Sequence, residues 1–199
     1  MDAFNKLIDV ANRLLGPNGC PWDQEQTLRS LQPYLLEEAH ELVDAIDSLD
    51  ANKMKEELGD FFYTAVFVSK LAEKEGLFSL HDALLAITEK LIRRHPHIFG
   101  ETKVSGSEDV MRNWEEIKMK EGRVSLFEGI PSTLPSLSTA QKIVSKLRRK
   151  KLAQKKETNL KSEEELAEKI WQLVEEAETA GFDAETALRR LCKSKVTGV

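Results

Sequence analysis

Apolar residues recur at spacings of three and four along most of the chain, the period of a helix that buries one face. Phe4, Leu7, Ile8, Ala11, Leu14 and Leu15 mark a first helix, stopped by the breaker cluster Gly16-Pro17-Asn18-Gly19. Asp23 after Pro21-Trp22 suits a helix cap, with Gln26 as its capping-box partner. Leu35, Leu36, Ala39, Leu42, Val43 and Ile46 give a second strong pattern, with Pro33 in its first turn. Met54, Leu58, Phe61, Phe62 and Ala65 give a third, which continues through Val66 and Leu71 to a stop near Gly76. The polar link Ser48–Lys53 between these two is short enough to pack them antiparallel. A further helix starts near Ser79, with Asp82 in its first turn and Leu84, Leu85, Ile87, Leu91 and Ile92 on its apolar side. After a loop at Gly100–Gly106, the pattern predicts helices over Asp109–Gly122, near Glu163–Ala180 and over Asp183–Lys195. No stretch reads as a strand, so the fold class is all-α, a helical bundle.

The polar positions inside the two central helices carry the chemistry. Glu38 and Glu41 are three apart, as are Glu57 and Asp60, so each pair shares one face of its helix. Antiparallel packing brings four carboxylates to one seam. Clustered carboxylates repel and take up protons unless a cation sits among them. Mg²⁺ suits such oxygen ligands and commonly bridges to substrate phosphates, with Mn²⁺ as the second candidate ion. The plainer alternative is a pair of solvated acidic faces; two pairs within apolar helices favour the metal site. Glu37-x-x-His40 overlaps the motif, but the second Glu-x-x-His that a di-iron bundle needs is absent.

Composition narrows the class. The 199 residues are 41% hydrophobic and 32% charged, which fits a soluble helical protein with a real core. A net charge of −5 gives no argument for nucleic-acid binding. Cys20 and Cys192 are too few and too far apart for a disulfide framework. The start Met1-Asp2-Ala3-Phe4 does not read as a signal peptide, and no run reaches the ~20 apolar residues of a membrane span. A cytoplasmic protein is expected.

Basic residues gather where phosphate would need them. The helix near Ser79 ends in Lys90, Arg93 and Arg94, with Lys90 and Arg94 four apart on one face, followed by His95-Pro96-His97. The histidines read as turn residues in preference to metal ligands. Trp114 and Lys118 are also four apart; an aromatic face beside a lysine suits a base and a phosphate, although spacing alone favours a core tryptophan. Phe127–Pro135, with Gly129 and two prolines, reads as a linker. Beyond it Lys146–Lys156 holds seven basic residues and no acidic one, which reads first as a solvated helix face. Glu164–Ile170 then aligns with Glu56–Phe62, and Asp183–Leu188 echoes Leu80–Leu85, as in a worn repeat. This second copy has Glu168 in place of Asp60 but nothing in place of Glu38 and Glu41.

With these residues in view, the chain resembles the MazG branch of the all-α nucleoside triphosphate pyrophosphohydrolases. The resemblance rests on Glu37-Glu38-x-x-Glu41 with Glu57-x-x-Asp60, and on the segments Asn18–Thr27, Arg93–Phe99 and Trp114–Lys118. It covers about residues 1–145 and implies a catalytic domain over 1–125, a linker over 126–137, and a degenerate partial repeat over 138–199. It implies Mg²⁺-dependent hydrolysis of nucleoside or deoxynucleoside triphosphates to monophosphate and pyrophosphate, with a house-cleaning role. Glu38, Glu41, Glu57 and Asp60 would hold the metal, and Glu37 or Glu41 would orient the water. Lys53, Lys90, Arg94 and Lys118 would hold the triphosphate, and Trp114 would lie near the base. The competing class is a non-catalytic helical interaction protein. A homodimer is expected, because Phe61-Phe62-Tyr63 and Val66-Phe67-Val68 are apolar around more than one face.

Overall fold

A computed structural model describes residues 3–122, 125–150, 152 and 157–197. Every regular element among them is a helix. The chain forms two compact units that meet in sequence at Gly100 and Glu101. Residues 101–122 and 126–137 group with the second of these units.

The first unit contains α1 (Ala3–Leu15), α2 (Pro21–Glu25), α3 (Gln32–Asp47), α4 (Ala51–Lys74), α5 (Leu80–Arg94) and the short α6 (Pro96–Phe99). Its frame is the α3–α4 hairpin, with α1 and α5 packed on α4. Leu31, Phe67 and Leu71 form the buried centre, flanked by Leu15, Leu28, Tyr63 and Val68. Full burial of one such side chain contributes about 1.5–3 kcal/mol. All the buried residues of α4 lie from Thr64 onward, so its C-terminal half makes core while its N-terminal half stays open.

Local chemistry sets the joints. After α1 the chain doubles back so tightly that a Cβ on Gly19 would stand 2.1 Å from the Leu14 carbonyl oxygen; only glycine fits. The Cys20 amide donates to that same oxygen at 2.8 Å. Asp23 is not the cap the sequence suggested. Cys20 occupies the cap position of α2, and Asp23 sits in the first turn with its side chain buried. Gln26 instead ends α2 and donates to the Trp22 carbonyl at 3.0 Å. Trp22 is half-exposed and meets Tyr34 edge-on at 5.7 Å. α5 starts where the sequence placed it, and Ser79 caps it in a reciprocal box with Asp82.

The second unit contains α7 (Ser107–Lys120), α8 (Ser136–Arg149), α9 (Glu163–Thr179) and α10 (Ala184–Thr197). α8, whose start follows a proline-rich stretch, was not predicted from the spacing pattern. Phe127, Ile143 and Cys192 form its core with Leu147, Leu188 and Val196. Phe127 is thus a core anchor and not part of a free linker. The first amide of α8 has no helical acceptor, and Pro135 offers no side-chain cap. Glu185 of α10 supplies one: its carboxylate accepts from the Ser136 amide at 3.1 Å and from the Ser136 hydroxyl at 2.6 Å. Lys151 and residues 153–156 of the basic run lie outside the described residues. No helix among the described residues is long and apolar enough to cross a membrane.

Candidate metal and nucleotide site

The carboxylates converge where α3 and the open half of α4 run side by side. Asp50 fixes the start of α4 by accepting from the amides of Asn52 at 2.9 Å and Lys53 at 3.2 Å. This cap sets the register of Glu57 and Asp60 against Glu38 and Glu41. It also places Lys53 in the first turn of α4 and not in the link between the helices.

Glu38, Glu41 and Glu57 each present an oxygen within 4.8 Å of the other two. Among the described residues this is the single cluster of metal-ligating side chains so gathered. Asp60 does not join the group at that distance but acts on it electrostatically. Burial first, then the charges of Asp60, Glu41, Glu57 and Glu37, push the Glu38 carboxyl above its ordinary range. Glu57 is raised too, by burial, Glu41, Glu56 and Asp60, while Lys53 pulls it back. Glu37, Glu38, Glu41, Glu57, Asp60 and Lys53 thus share one electrostatic neighbourhood. An all-oxygen donor set strained by its own repulsion fits a hard divalent cation.

α5 packs on α4 and carries Lys90 and Arg94, both half-buried, one turn apart near its C-terminus. His95 turns its Nδ1 onto the Leu91 carbonyl at 2.6 Å, which satisfies it as a helix-end residue. His97 departs from that expectation, because its buried Nδ1 has no hydrogen-bond partner among the described residues.

Trp114 and Lys118 lie on α7 in the second unit. They do share a face: the Lys118 ammonium sits 5.6 Å from the centre of the Trp114 ring. Trp114 is half-buried and not a core residue. The residue that sequence reasoning overlooked here is Glu115, which is 6% exposed and accepts from Lys118 at 3.2 Å. Its spacing of three from Lys118 was the available signal.

Residues 26–99 match the family model of the MazG nucleotide pyrophosphohydrolase domain, a span that holds every carboxylate of the cluster with Lys53, Lys90 and Arg94. The crystal structure of a mazG-related protein from Thermotoga maritima is similar with a TM-score of 0.52 and 30% sequence identity, over 58% of this chain and 98% of that one. The chain belongs to the MazG family. Among relatives known by sequence, it is 42% identical over 148 residues to a nucleoside triphosphate pyrophosphohydrolase of Escherichia coli K12, covering 72% of this chain and 56% of that protein. It is 44% identical over 143 residues to YabN of Bacillus subtilis 168, an uncharacterized protein, covering 70% of this chain and 29% of that one. The chain thus spans about half the length of the first relative and less than a third of the second. The MazG match lies on the α3–α5 frame, the part of the molecule that builds the carboxylate cluster.

Proposed function

We propose that the protein is a nucleoside triphosphate pyrophosphohydrolase that requires Mg²⁺, with Mn²⁺ as a substitute. It would cleave nucleoside or deoxynucleoside triphosphates to the monophosphate and pyrophosphate, as a nucleotide-pool house-cleaning activity. The observation that carries this reading is the convergence of Glu38, Glu41 and Glu57 across the α3–α4 seam, with Asp60 acting on the same group. These four carboxylates would hold the cation. When bound, the cation supplies Lewis acidity toward phosphoryl oxygens and makes a water a better nucleophile.

The chain's own residues do the rest. Glu37 or Glu41 accepts a hydrogen bond from the attacking water and takes its proton as the new P–O bond forms. The α–β phosphoanhydride bond breaks, and pyrophosphate leaves with the electron pair. Lys53, Lys90, Arg94 and Lys118 offset the charge of the triphosphate and of that leaving group. Trp114 offers a ring face to the base. Residues 138–199 are read as a partial second repeat without a metal site, because Glu168 has no carboxylate partners equivalent to Glu38 and Glu41.

We also propose a homodimer, on a different surface from the one the sequence suggested. Val66 and Phe67 are 2% and 3% exposed inside the first unit, so they serve its own core. Phe62 remains half-exposed, and α5 leaves Leu84, Leu85, Leu91 and Ile92 between 43% and 47% exposed. An apolar helix face of that kind supports pairing with a second copy.

The test is a product assay with nucleoside triphosphates, with and without Mg²⁺. Pyrophosphate release that depends on the metal and is lost in Glu38→Gln supports the reading. Orthophosphate as the first product, or turnover in the presence of a chelator, overturns it.

A further inference from the structure

The second unit keeps an open space beside its own core. A cavity of about 320 Å³ lies between α8, α10 and the chain ahead of α8. Its floor is Phe127, Ile143 and Cys192, the buried residues around which the unit is built. Ile130, Leu134 and Val196 line its walls. The other end is wet, because Arg189 and Lys193 line it and both are exposed. They are four apart on α10, so they stand one above the other on a single face. No acidic side chain among the described residues lines the cavity.

Each feature narrows the occupant. Protein interiors are close-packed, and a void of this size beside a core leaves the lining atoms without contacts. Water fits the inner end poorly, since an ordered water needs several polar partners. The polar atoms at that depth are already engaged: the Ser136 hydroxyl donates to Glu185 at 2.6 Å, and the Cys192 thiol faces the Ser136 carbonyl at 3.9 Å. An apolar chain does fit. The volume is at the lower end of the range that holds small organic ligands, about 300–1,000 Å³. It has room for about ten water-sized groups.

The mouth fixes the other end of the ligand. The Lys193 ammonium has no hydrogen bond or ion pair among the described residues. Arg189 donates from Nη2 to Thr186 Oγ1 at 3.1 Å, and Asp183 acts on it electrostatically. The guanidinium carries further N–H donors beyond that bond. Lys193 and the part of the Arg189 charge that Asp183 leaves uncovered balance a single negative charge, as on a carboxylate.

We propose that the second unit binds an unbranched aliphatic carboxylate of about eight to ten carbons, its chain on Phe127, Ile143 and Cys192 and its head between Arg189 and Lys193. No step of triphosphate hydrolysis uses these residues, so the site adds a binding function to the chain.

The test uses the full chain and sodium octanoate, by calorimetry at neutral pH. Octanoate should bind at a single site per chain, and octylamine should not bind. From hexanoate through octanoate to decanoate, Kd should fall about fourfold per methylene. From decanoate to tetradecanoate it should level off, because the cavity is then full. Arg189→Gln with Lys193→Gln should raise Kd for octanoate about fivefold. Arg189→Lys with Lys193→Arg should keep Kd near the parent value. Thr139 lines the cavity, and Thr139→Phe should fill it and abolish binding while circular dichroism keeps its helical signature. If that variant does not fold, Ile130→Trp carries the same test. No heat of binding at millimolar octanoate overturns the proposal, as does octylamine binding as tightly as octanoate. Binding that survives the filled cavity places the ligand elsewhere and overturns it too.

Discussion

Replacing Glu38 by Gln should raise the stability of the metal-free protein and lower that of the metal-loaded one. The substitution keeps the shape of the side chain and removes one charge from a group whose oxygens lie within 4.8 Å of one another. At that separation two like charges repel by about 0.9 kcal/mol in water and by about 3.5 kcal/mol at an effective dielectric near ~20. Glu38 is partly exposed, so solvent screening pulls the relief toward the lower limit, about 1–2 kcal/mol. For a chain of this size that is a rise of a few degrees, at about 2–4 °C per kcal/mol. Metal reverses the order. A cation present at about a hundred times its Kd stabilises the parent by about 2.7 kcal/mol, and the variant, short of one ligand charge, gains much less. The assay is thermal unfolding at neutral pH, once with EDTA and once with millimolar Mg²⁺. The two melting curves should cross over: variant above parent in EDTA, parent above variant in Mg²⁺. If Glu38→Gln melts lower in EDTA, the carboxylates do not repel; if Mg²⁺ shifts both proteins equally, they do not share an ion.

Asp60→Asn should remove most pyrophosphate release while far-ultraviolet circular dichroism keeps its helical signature; Glu168→Gln should leave turnover unchanged, and equal damage from both would refute the reading of the second repeat. Phe67→Ala should cost about 3–5 kcal/mol by chemical denaturation, because it opens a void in the first unit's core; a loss below about 1 kcal/mol would mean that Phe67 is not packed as described. Asp109 is held at about 2 by hydrogen bonds from the Ser105 hydroxyl and amide and from Arg112. A lowered carboxyl stabilises fully above its ordinary value of 3.8 and loses that contribution as pH falls from there toward about 2. Ser105→Ala should therefore shift acid unfolding to higher pH, read by circular dichroism; no shift would refute the coupling. Light scattering at micromolar concentration should give about twice the chain mass of 22.5 kDa, and charged substitutions at Leu84 and Leu91 should halve it; a parent protein that scatters as a monomer would refute the dimer.

The sequence by itself determined the helices and the central acidic motif. Periods of three and four depend on local geometry, so α1, α3, α4, α5, α7, α9 and α10 were legible from the sequence. Glu38, Glu41 and Glu57 were legible too, because two carboxylate pairs on helices joined by a short link have few places to go but one seam. What the sequence left open was decided by contacts between residues far apart in the chain. The capping role of Glu185 on α8 links positions 49 residues apart. Lys118, Lys146 and Arg149, the three cations on Glu115, come from two helices separated by a proline-rich stretch that read as a linker. The burial of Phe67 depends on how Leu15 of α1, with Leu28 and Leu31 ahead of α3, lie against α4. Helical period shows that a residue has an apolar neighbour; only tertiary packing shows whether that neighbour belongs to the same unit or is left for a partner. That is why α5 and the α4 aromatics looked alike in the sequence, while the fold buried Phe67 and left Leu84 and Leu91 open.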